Sequence, residues 1–120
     1  MKERMICITF MNGEVGVTLG ALYAYTTTVT NLTIVAVSVS PNADDSGATI
    51  DIDDDGTNII TGIDCSDQNV PGTWLSTEVG GTNTPVDVAA GSLLALDGNS
   101  FAANTTANVH IYCLTGIVTA

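Results

Sequence analysis

The sequence predicts an all-β protein, a single antiparallel β-sandwich of about eight strands, with a small barrel as the alternative architecture. Eighteen threonines and many valines and isoleucines favour strands, because β-branched side chains are crowded in a helix and fit a pleated sheet. Apolar residues alternate with polar ones or form short runs, and no segment has a helical period. Clusters of Gly, Pro, Asn and Asp separate these runs at short intervals, as in β-sandwiches.

The first third of the chain contains four β-rich runs bounded by turn formers. The longest run has apolar residues on both faces around residues 32–37, which is typical of a strand in the middle of a packed sheet. Asn12 and Gly13 are expected to end the first run. The predicted strands are residues 5–10, 15–19, 21–25 and 28–39.

A β-hairpin is the most specific local signal. Residues 48–53 predict a strand with one apolar and one acidic face, because isoleucine and aspartate alternate over residues 50–53. The turn signal Asp54-Asp55-Gly56 follows, and residues 57–63 predict the strand that pairs back.

Further turn-rich segments divide the rest of the chain. They predict loops at residues 41–47, 64–72, 80–85 and 98–105. The segments between them predict strands at residues 73–79, 86–97 and 106–118, with a break near Gly91 in the second of these.

Basic residues are confined to the N-terminus of the chain. Lys2 and Arg4 are the only basic side chains against thirteen acidic ones, and the formal net charge is −11. A body without Lys or Arg is poorly suited to phosphate contacts, so we expect no nucleic-acid partner. The carboxylates must be solvated, bind cations or face a partner. Residues 1–12 are predicted to form an N-terminal arm or first short strand, and residues 13–120 the sandwich domain.

Three cysteines, Cys7, Cys65 and Cys113, lie far apart in the sequence and have no framework spacing. Their neighbours are apolar or small, which predicts three buried thiols. One disulfide plus a free thiol remains the alternative.

No segment has the features of a membrane anchor or a leader peptide. The apolar run at residues 5–11 is short for a signal sequence and lacks a small-residue cleavage site after it. No apolar run is long enough to cross a bilayer. The sequence therefore predicts no membrane partner and synthesis in a cytoplasm.

The acidic turn is a candidate metal site. Asp51, Asp53 and Asp55 followed by Gly56 match the first half of an EF-hand calcium loop, in which alternate carboxylates supply oxygens. The twelfth loop position is Gly62, where a bidentate Glu is required, and no helix pattern flanks the loop. Weak Ca²⁺ binding is one expectation, and an acidic hairpin without metal is the other. No other cofactor is expected.

The sequence contains no strong motif for catalysis. His110 is expected on the surface, on the face of the last strand opposite Val109 and Ile111, and no nucleophile or paired-carboxylate motif frames it. Trp74 is expected in the core or at a subunit contact, with a sugar-stacking platform as the alternative. The sequence predicts that the protein is not an enzyme.

Residues 48–60 (ATIDIDDDGTNII), residues 88–96 (VAAGSLLAL) and a long final strand at 107–118 occur in a characteristic order. This order resembles small virion proteins of tailed bacteriophages: capsid decoration (cement) proteins, head fibres and tail modules. The resemblance covers roughly residues 28–118 and implies a jelly-roll-like sandwich without catalytic residues. The chain departs from the commonest pattern because its hairpin and final strand lack basic residues.

The resemblance implies a structural protein that decorates and stabilises the capsid exterior. Its partners would be the major capsid protein and neighbouring virion subunits, with a homo-oligomer, first a trimer, on the virion surface. Lys2 and Arg4 are candidates for docking onto an acidic neighbour, or they form a solvated terminus. The alternative function is a tail- or head-fibre module that binds glycans, with Ca²⁺ at Asp51, Asp53 and Asp55. A cell-surface adhesin is the third possibility.

Overall fold

The fold is given by a computed structural model. It describes residues 2–14, 24–26, 31–99 and 106–117, which form nine strands and one 3-10 turn. The strands are β1 (Lys2–Glu14), β2 (Ala24–Thr26), β3 (Leu32–Pro41), β4 (Thr49–Asp54), β5 (Thr57–Asp64), β6 (Gly72–Leu75), β7 (Val86–Val88), β8 (Leu93–Asn99) and β9 (Thr106–Ile117).

The strands pair in a nested order. β1 pairs with β9, β2 with β8, β3 with both β6 and β7, and β4 with β5, and all of these pairs are antiparallel. A five-stranded sheet has the order β1-β9-β3-β6, with β7 also on β3, and a four-stranded sheet has the order β2-β8-β4-β5. Successive nested pairs fall alternately in the two sheets, which is the topology of a jelly roll. The predicted antiparallel sandwich is confirmed.

The core lies between the two sheets. Alternate residues of most strands with described side chains point inward, and most of the largest fully buried side chains come from β3, β4, β8 and β9. Burial of each such aliphatic side chain contributes about 1.5–3 kcal/mol. Trp74 is half-buried and packs against this cluster, as the sequence predicted. The largest fully buried side chains are Ile34, Val35, Val37, Val39, Ile50, Ile52, Cys65, Val88, Leu94, Leu96, Val109 and Ile111.

The predicted hairpin is confirmed in detail. Ile50 and Ile52 are buried, and β4 and β5 are joined by a two-residue turn between the paired residues Asp54 and Thr57. The turn residues Asp55 and Gly56 have φ angles of 51° and 90°. Two positive φ angles define a type I′ turn, for which Asp-Gly is a preferred pair.

Several strand boundaries differ from the prediction. Residues 77–79 were expected in a strand but form the 3-10 turn Thr77–Val79, because the Ser76 hydroxyl accepts a hydrogen bond from the Glu78 amide and caps the turn. Asn12 and Gly13 lie within β1, whose pairing with β9 shifts register between Phe10 and Gly13 instead of ending. β8 continues through Asn99, into the predicted loop.

The strand expected at residues 15–19 lies outside the described residues. No helix in the described ranges is long and apolar enough to cross a membrane.

The three cysteines are all free thiols, so the alternative with a disulfide is wrong. Cys65 and Cys113 are buried, but Cys7 is exposed, and the prediction of three buried thiols is therefore wrong for Cys7. The reason is strand alternation: Ile8 and Phe10 point into the core, which turns Cys7 toward the opposite face of β1.

Candidate functional site

The outer face of the four-stranded sheet, here called the acidic face, carries four aspartates. Asp51 and Asp53 lie on β4, Asp64 on β5 and Asp97 on β8, alternating with the buried residues of the same strands. Asp51 and Asp97 are directly opposite each other across the β4–β8 pair. Like charges at such positions destabilise a sheet unless other groups compensate.

Asp51 receives that compensation from hydrogen bonds. Its side chain is only 9% exposed. Oδ1 accepts a hydrogen bond from the Gly62 amide at 2.8 Å, and Oδ2 accepts from the side-chain amides of Asn58 and Asn99, each at 3.2 Å. Both carboxylate oxygens are thus used to join β4 to its two neighbouring strands.

The other two aspartates of the calcium motif also bind main-chain amides. Asp53 Oδ1 accepts from Gly56 N at 2.6 Å, within the turn, and Asp55 Oδ1 accepts from Leu93 N at 2.9 Å. The three carboxylates of the motif therefore have different partners. Within the part of the chain that the structure describes, no group of three His, Cys, Asp or Glu side chains is placed to hold a metal ion. Calcium binding stays a prediction.

Carboxylates in and next to the loops also accept hydrogen bonds from nearby N–H or O–H groups. Asp44 accepts from Gln68 N at 2.7 Å, and Asp67 accepts from Asn69 N at 2.7 Å. The hydroxyl and the amide of Ser66 both donate to Asp64, and these bonds lower the pKa of the Asp64 carboxyl. A chain with almost no cations thus stabilises its carboxylates with N–H and O–H donors.

The outer face of the five-stranded sheet has a different chemistry, and we call it the neutral face. The only acidic side chain described on it is Asp87 at its edge, where Asp87 accepts a hydrogen bond from the Thr33 hydroxyl at 2.9 Å. Met5 and Leu75 on this face are 53% and 41% exposed. The remaining described side chains of the neutral face are Cys7, Thr9, Thr33, Ala36, Ser38, Ser40, Thr73, Asn108, His110, Tyr112 and Leu114.

A small cluster on β1 and β9 lies within the neutral face. His110 Nδ1 is 3.3 Å from Thr9 Oγ1 and 3.9 Å from Cys7 Sγ. The His110 ring stacks on Tyr112, with 6.4 Å between ring centroids. His110 is half-exposed, in agreement with the prediction of a surface residue. The cluster places one accessible thiol beside an imidazole and an aromatic ring.

The neutral face was not predicted from the sequence. Its signal in β9 is the alternation of Asn108, His110, Tyr112 and Leu114 with buried residues. The corresponding signal in β1 is hidden, because residues 5–8 are apolar on both faces. The pairing of β1 with β9, about a hundred residues apart, was needed to join the two rows.

The N-terminal segment is part of the sandwich. The backbones of Lys2 and Arg4 lie in β1, opposite Ile117 and Thr115 of β9. This segment is therefore a strand of the five-stranded sheet, and a first strand was one of the two expectations for residues 1–12. The side chains of Lys2 and Arg4 lie outside the described features, and their role in partner binding stays a prediction.

The sugar-platform alternative for Trp74 is not supported by the orientation of the residue. Trp74 pairs with Val37 of β3, whose side chain is buried, and it packs against the core and not on the outer face. A surface depression of about 420 Å³ is lined by Asp64 at the end of β5, by Gly72 and Thr73 of β6 and by residues of the loop between these strands, such as Asp67 and Val70.

The strand order defines a small jelly-roll β-sandwich. Its two outer faces differ in the number of acidic side chains. No protein-family model matches the chain, and no curated protein matches it. The fold and the surface chemistry are therefore the basis of any functional proposal.

Proposed function

We propose that this chain is a non-enzymatic structural protein of a virus particle, which decorates and stabilises the capsid exterior. The observation that carries the proposal is the combination of jelly-roll strand order with two outer faces of opposite chemistry. Jelly rolls are recurrent in viral capsid and lectin domains. A fold alone does not fix a function, so the argument depends on the faces.

The two faces suit a protein with one side on a partner and the other in solvent. On the acidic face Asp51, Asp53 and Asp64 accept hydrogen bonds from N–H or O–H donors, and the negative charge of this face favours solubility and mutual repulsion between particles. The neutral face presents threonine, serine and a few apolar side chains. Threonine and serine lose little side-chain entropy when they are buried in a contact, compared with long charged side chains.

The proposed mechanism is mechanical. Many copies, each in contact with the major capsid protein and with neighbouring virion subunits, would bridge adjacent subunits of the shell. Binding to the assembled state alone stabilises that state by mass action, and multiple contacts add avidity. The protein would be made in the host cytoplasm and act on the virion surface.

The copy number of the chain in purified particles tests this proposal. Particles are purified from host cells that carry the gene, and quantitative mass spectrometry compares this chain with the major capsid protein. We expect a copy number of the same order as that of the capsid protein. Absence of the chain, or a few copies per particle, would contradict the proposal.

The alternative proposal, a fibre module that binds glycans with calcium, has less support. The carboxylates of Asp51, Asp53 and Asp55 accept amide hydrogen bonds, and Trp74 packs inward. A glycan array probed with and without EDTA separates the two proposals. Binding that EDTA abolishes would favour the fibre module.

A further inference from the structure

We propose that Cys7 is a modification site, at which its thiol exchanges with a small disulfide that carries no negative charge, and that His110 is the base for this exchange. The modification takes place on the free chain and goes beyond the proposed structural role. Three properties support it: the position of the imidazole, the accessibility of the thiol and the charge of the chain.

The pairing of β1 with β9 brings the thiol and the imidazole together. Thr9 lies opposite His110 and Cys7 lies opposite Tyr112, so Cys7 and His110 are diagonal neighbours on one face of the sheet. Cys7 Sγ is 3.9 Å from His110 Nδ1, and Thr9 Oγ1 is 3.5 Å from the sulfur and 3.3 Å from the nitrogen. An imidazole nitrogen within hydrogen-bonding reach of a thiol is the arrangement in which histidine acts as a base for cysteine.

Neighbouring side chains hold the imidazole at this position. The His110 ring stacks on Tyr112, with 6.4 Å between ring centroids and 29° between ring planes. Thr9 of β1 lies on one side of His110, and Ser38 of β3 lies on the other. A base that is already in place loses little freedom when it accepts a proton.

Accessibility separates Cys7 from the other two thiols. Cys7 is exposed, whereas Cys65 and Cys113 are buried. Burial raises the pKa of both buried thiols to about 12, with smaller contributions from Asp64 at Cys65 and from Cys7 at Cys113. Because the thiolate is the form that attacks a disulfide, the exchange should be confined to Cys7.

The exchange needs no oxidant other than the disulfide itself. The Cys7 thiol transfers its proton to His110 Nδ1, which accepts it when the neutral imidazole carries its own proton on Nε2. The Cys7 sulfur attacks one sulfur of the disulfide, so that a new S–S bond forms and the old one breaks. The leaving thiolate takes the proton from His110. The Cys7 sulfur is thereby oxidised to a mixed disulfide, and the released sulfur is reduced to a free thiol.

The charge of the chain selects the kind of disulfide. A formal net charge of −11 repels anionic reagents and raises the local concentration of cationic ones. A disulfide with two carboxylates should therefore react more slowly than a disulfide of similar size with two ammonium groups.

A mixed disulfide at Cys7 would change the neutral face reversibly. The added group lies among Thr9, His110 and Tyr112, and a reducing thiol removes it again. A modified chain should accordingly bind particles more weakly than the unmodified chain. This consequence alone rests on the proposed function, in which a partner covers the neutral face.

Mass spectrometry of the purified chain, with 2-hydroxyethyl disulfide as a neutral probe, measures the exchange. Peptide mapping gives a separate rate for each cysteine. We expect Cys7 to react at least about fivefold faster in the native chain than in the chain unfolded in urea, because only the native chain places His110 beside it. An equal or lower rate in the native chain would overturn the inference.

Variants test the role of His110. His110→Asn keeps a polar side chain but cannot accept the proton, and we expect it to lower the rate at Cys7 at least about fivefold. His110→Gln is the second variant and should act in the same way. Ser38→Ala changes the other neighbour of His110 and is the matched control, with an expected change of less than about twofold. Cys65 and Cys113 stay unmodified in a folded variant and so report whether each variant has folded. Equal rates in the native chain and in both His110 variants would contradict the assignment.

Two charged probes of similar size test the choice of disulfide. Cystamine carries two ammonium groups and dithiodipropionate carries two carboxylates, and a neutral reference thiol corrects for their intrinsic reactivity. We expect cystamine to react with Cys7 at least about threefold faster in about 20 mM NaCl, with a smaller difference in about 500 mM NaCl. A faster reaction of dithiodipropionate would overturn the preference. All rates are measured on the purified chain, so failure of this inference and failure of the capsid role, which depends on copy number in particles, give different results.

Discussion

The carboxylate of Asp51 shows how this protein keeps an acid in a nearly buried position without a cation. Three donors from β5 and β8 bind it: the Gly62 amide and the side chains of Asn58 and Asn99. Hydrogen bonds to a charged group contribute about 1.5–3 kcal/mol each at most, and an unpaired buried donor costs a comparable amount. Asp51 is therefore a structural link between three strands.

Asp51→Ala should lower the free energy of unfolding by about 2 kcal/mol, because it leaves these donors without their acceptor. Asp97→Ala, directly across the β4–β8 pair, is the matched control. It removes a like charge opposite Asp51 and should be neutral or slightly stabilising. Urea unfolding measures both variants. An equal decrease in the free energy of unfolding of the two variants would contradict a stabilising role for the hydrogen bonds of Asp51.

The thiols should differ in reactivity. Burial, with the charge of Asp64 adding to it, raises the pKa of Cys65 from 9.0 to about 12, and burial and the nearby Cys7 raise the pKa of Cys113 to about 12. At pH 8 a disulfide reagent should thus label one thiol per folded chain rapidly and three after denaturation. Cys7→Ser should lose the rapid phase. A rapid phase that persists in Cys7→Ser would contradict the burial of the other two.

The same raised pKa values have a consequence for stability. A thiol whose pKa is higher in the folded state favours folding while it is protonated. This contribution is fully present below pH 9 and is lost as the pH rises toward about 12. The free energy of unfolding should accordingly decrease above pH 9, and the decrease should be smaller in Cys65→Ala than in the unmodified chain.

For the strands, the sequence predicted the positions of the extended segments more accurately than it predicted which strands pair. The alternation over β4 and the Asp-Gly turn predicted the hairpin correctly, because both signals are local. The pairing of β1 with β9 and of β2 with β8 joins distant segments and has no local signal. The 3-10 turn at Thr77–Val79 was missed because it depends on the cap from Ser76.

The crossing from one sheet to the other depends on a glycine. Gly72 begins β6, and a Cβ atom at this position would collide with the carbonyl oxygen of Asp64 at the end of β5. Gly72→Ala should therefore destabilise the fold by about 3 kcal/mol or more, because backbone would have to move.

Gly62→Ala is the control, since its site is open and its cost is limited to the positive φ of 72°, about 1 kcal/mol. Thermal and urea unfolding compare the two variants. A smaller effect for Gly72→Ala than for Gly62→Ala would contradict the close approach of β5 and β6.

At the scale of the whole molecule, an excess of negative charge acts against the folded state. Ten of the described acidic side chains surround the sandwich outside the neutral face, and repulsion among them is screened by salt. The unequal distribution of carboxylates between the two outer faces follows from the strand register. The sequence alone shows the total charge and not its location.

The melting temperature should accordingly rise by several degrees between about 20 mM and about 500 mM NaCl. CaCl₂ at equal ionic strength provides the comparison for the candidate site at Asp51, Asp53 and Asp55. Screening alone predicts similar curves in the two salts. A further, saturable rise in CaCl₂ that Asp53→Asn removes would confirm calcium binding. A melting temperature that falls with NaCl would contradict the account of charge repulsion.

We propose that the chain stabilises a capsid from outside, and the temperature of genome release measures this stabilisation. Particles made without the chain are heated in the presence of a DNA-binding dye, with and without the purified protein added back. Particles that lack the chain should release their genome at a lower temperature, and addition of the purified protein should restore the higher temperature. Identical release temperatures in particles with and without bound chain would contradict it.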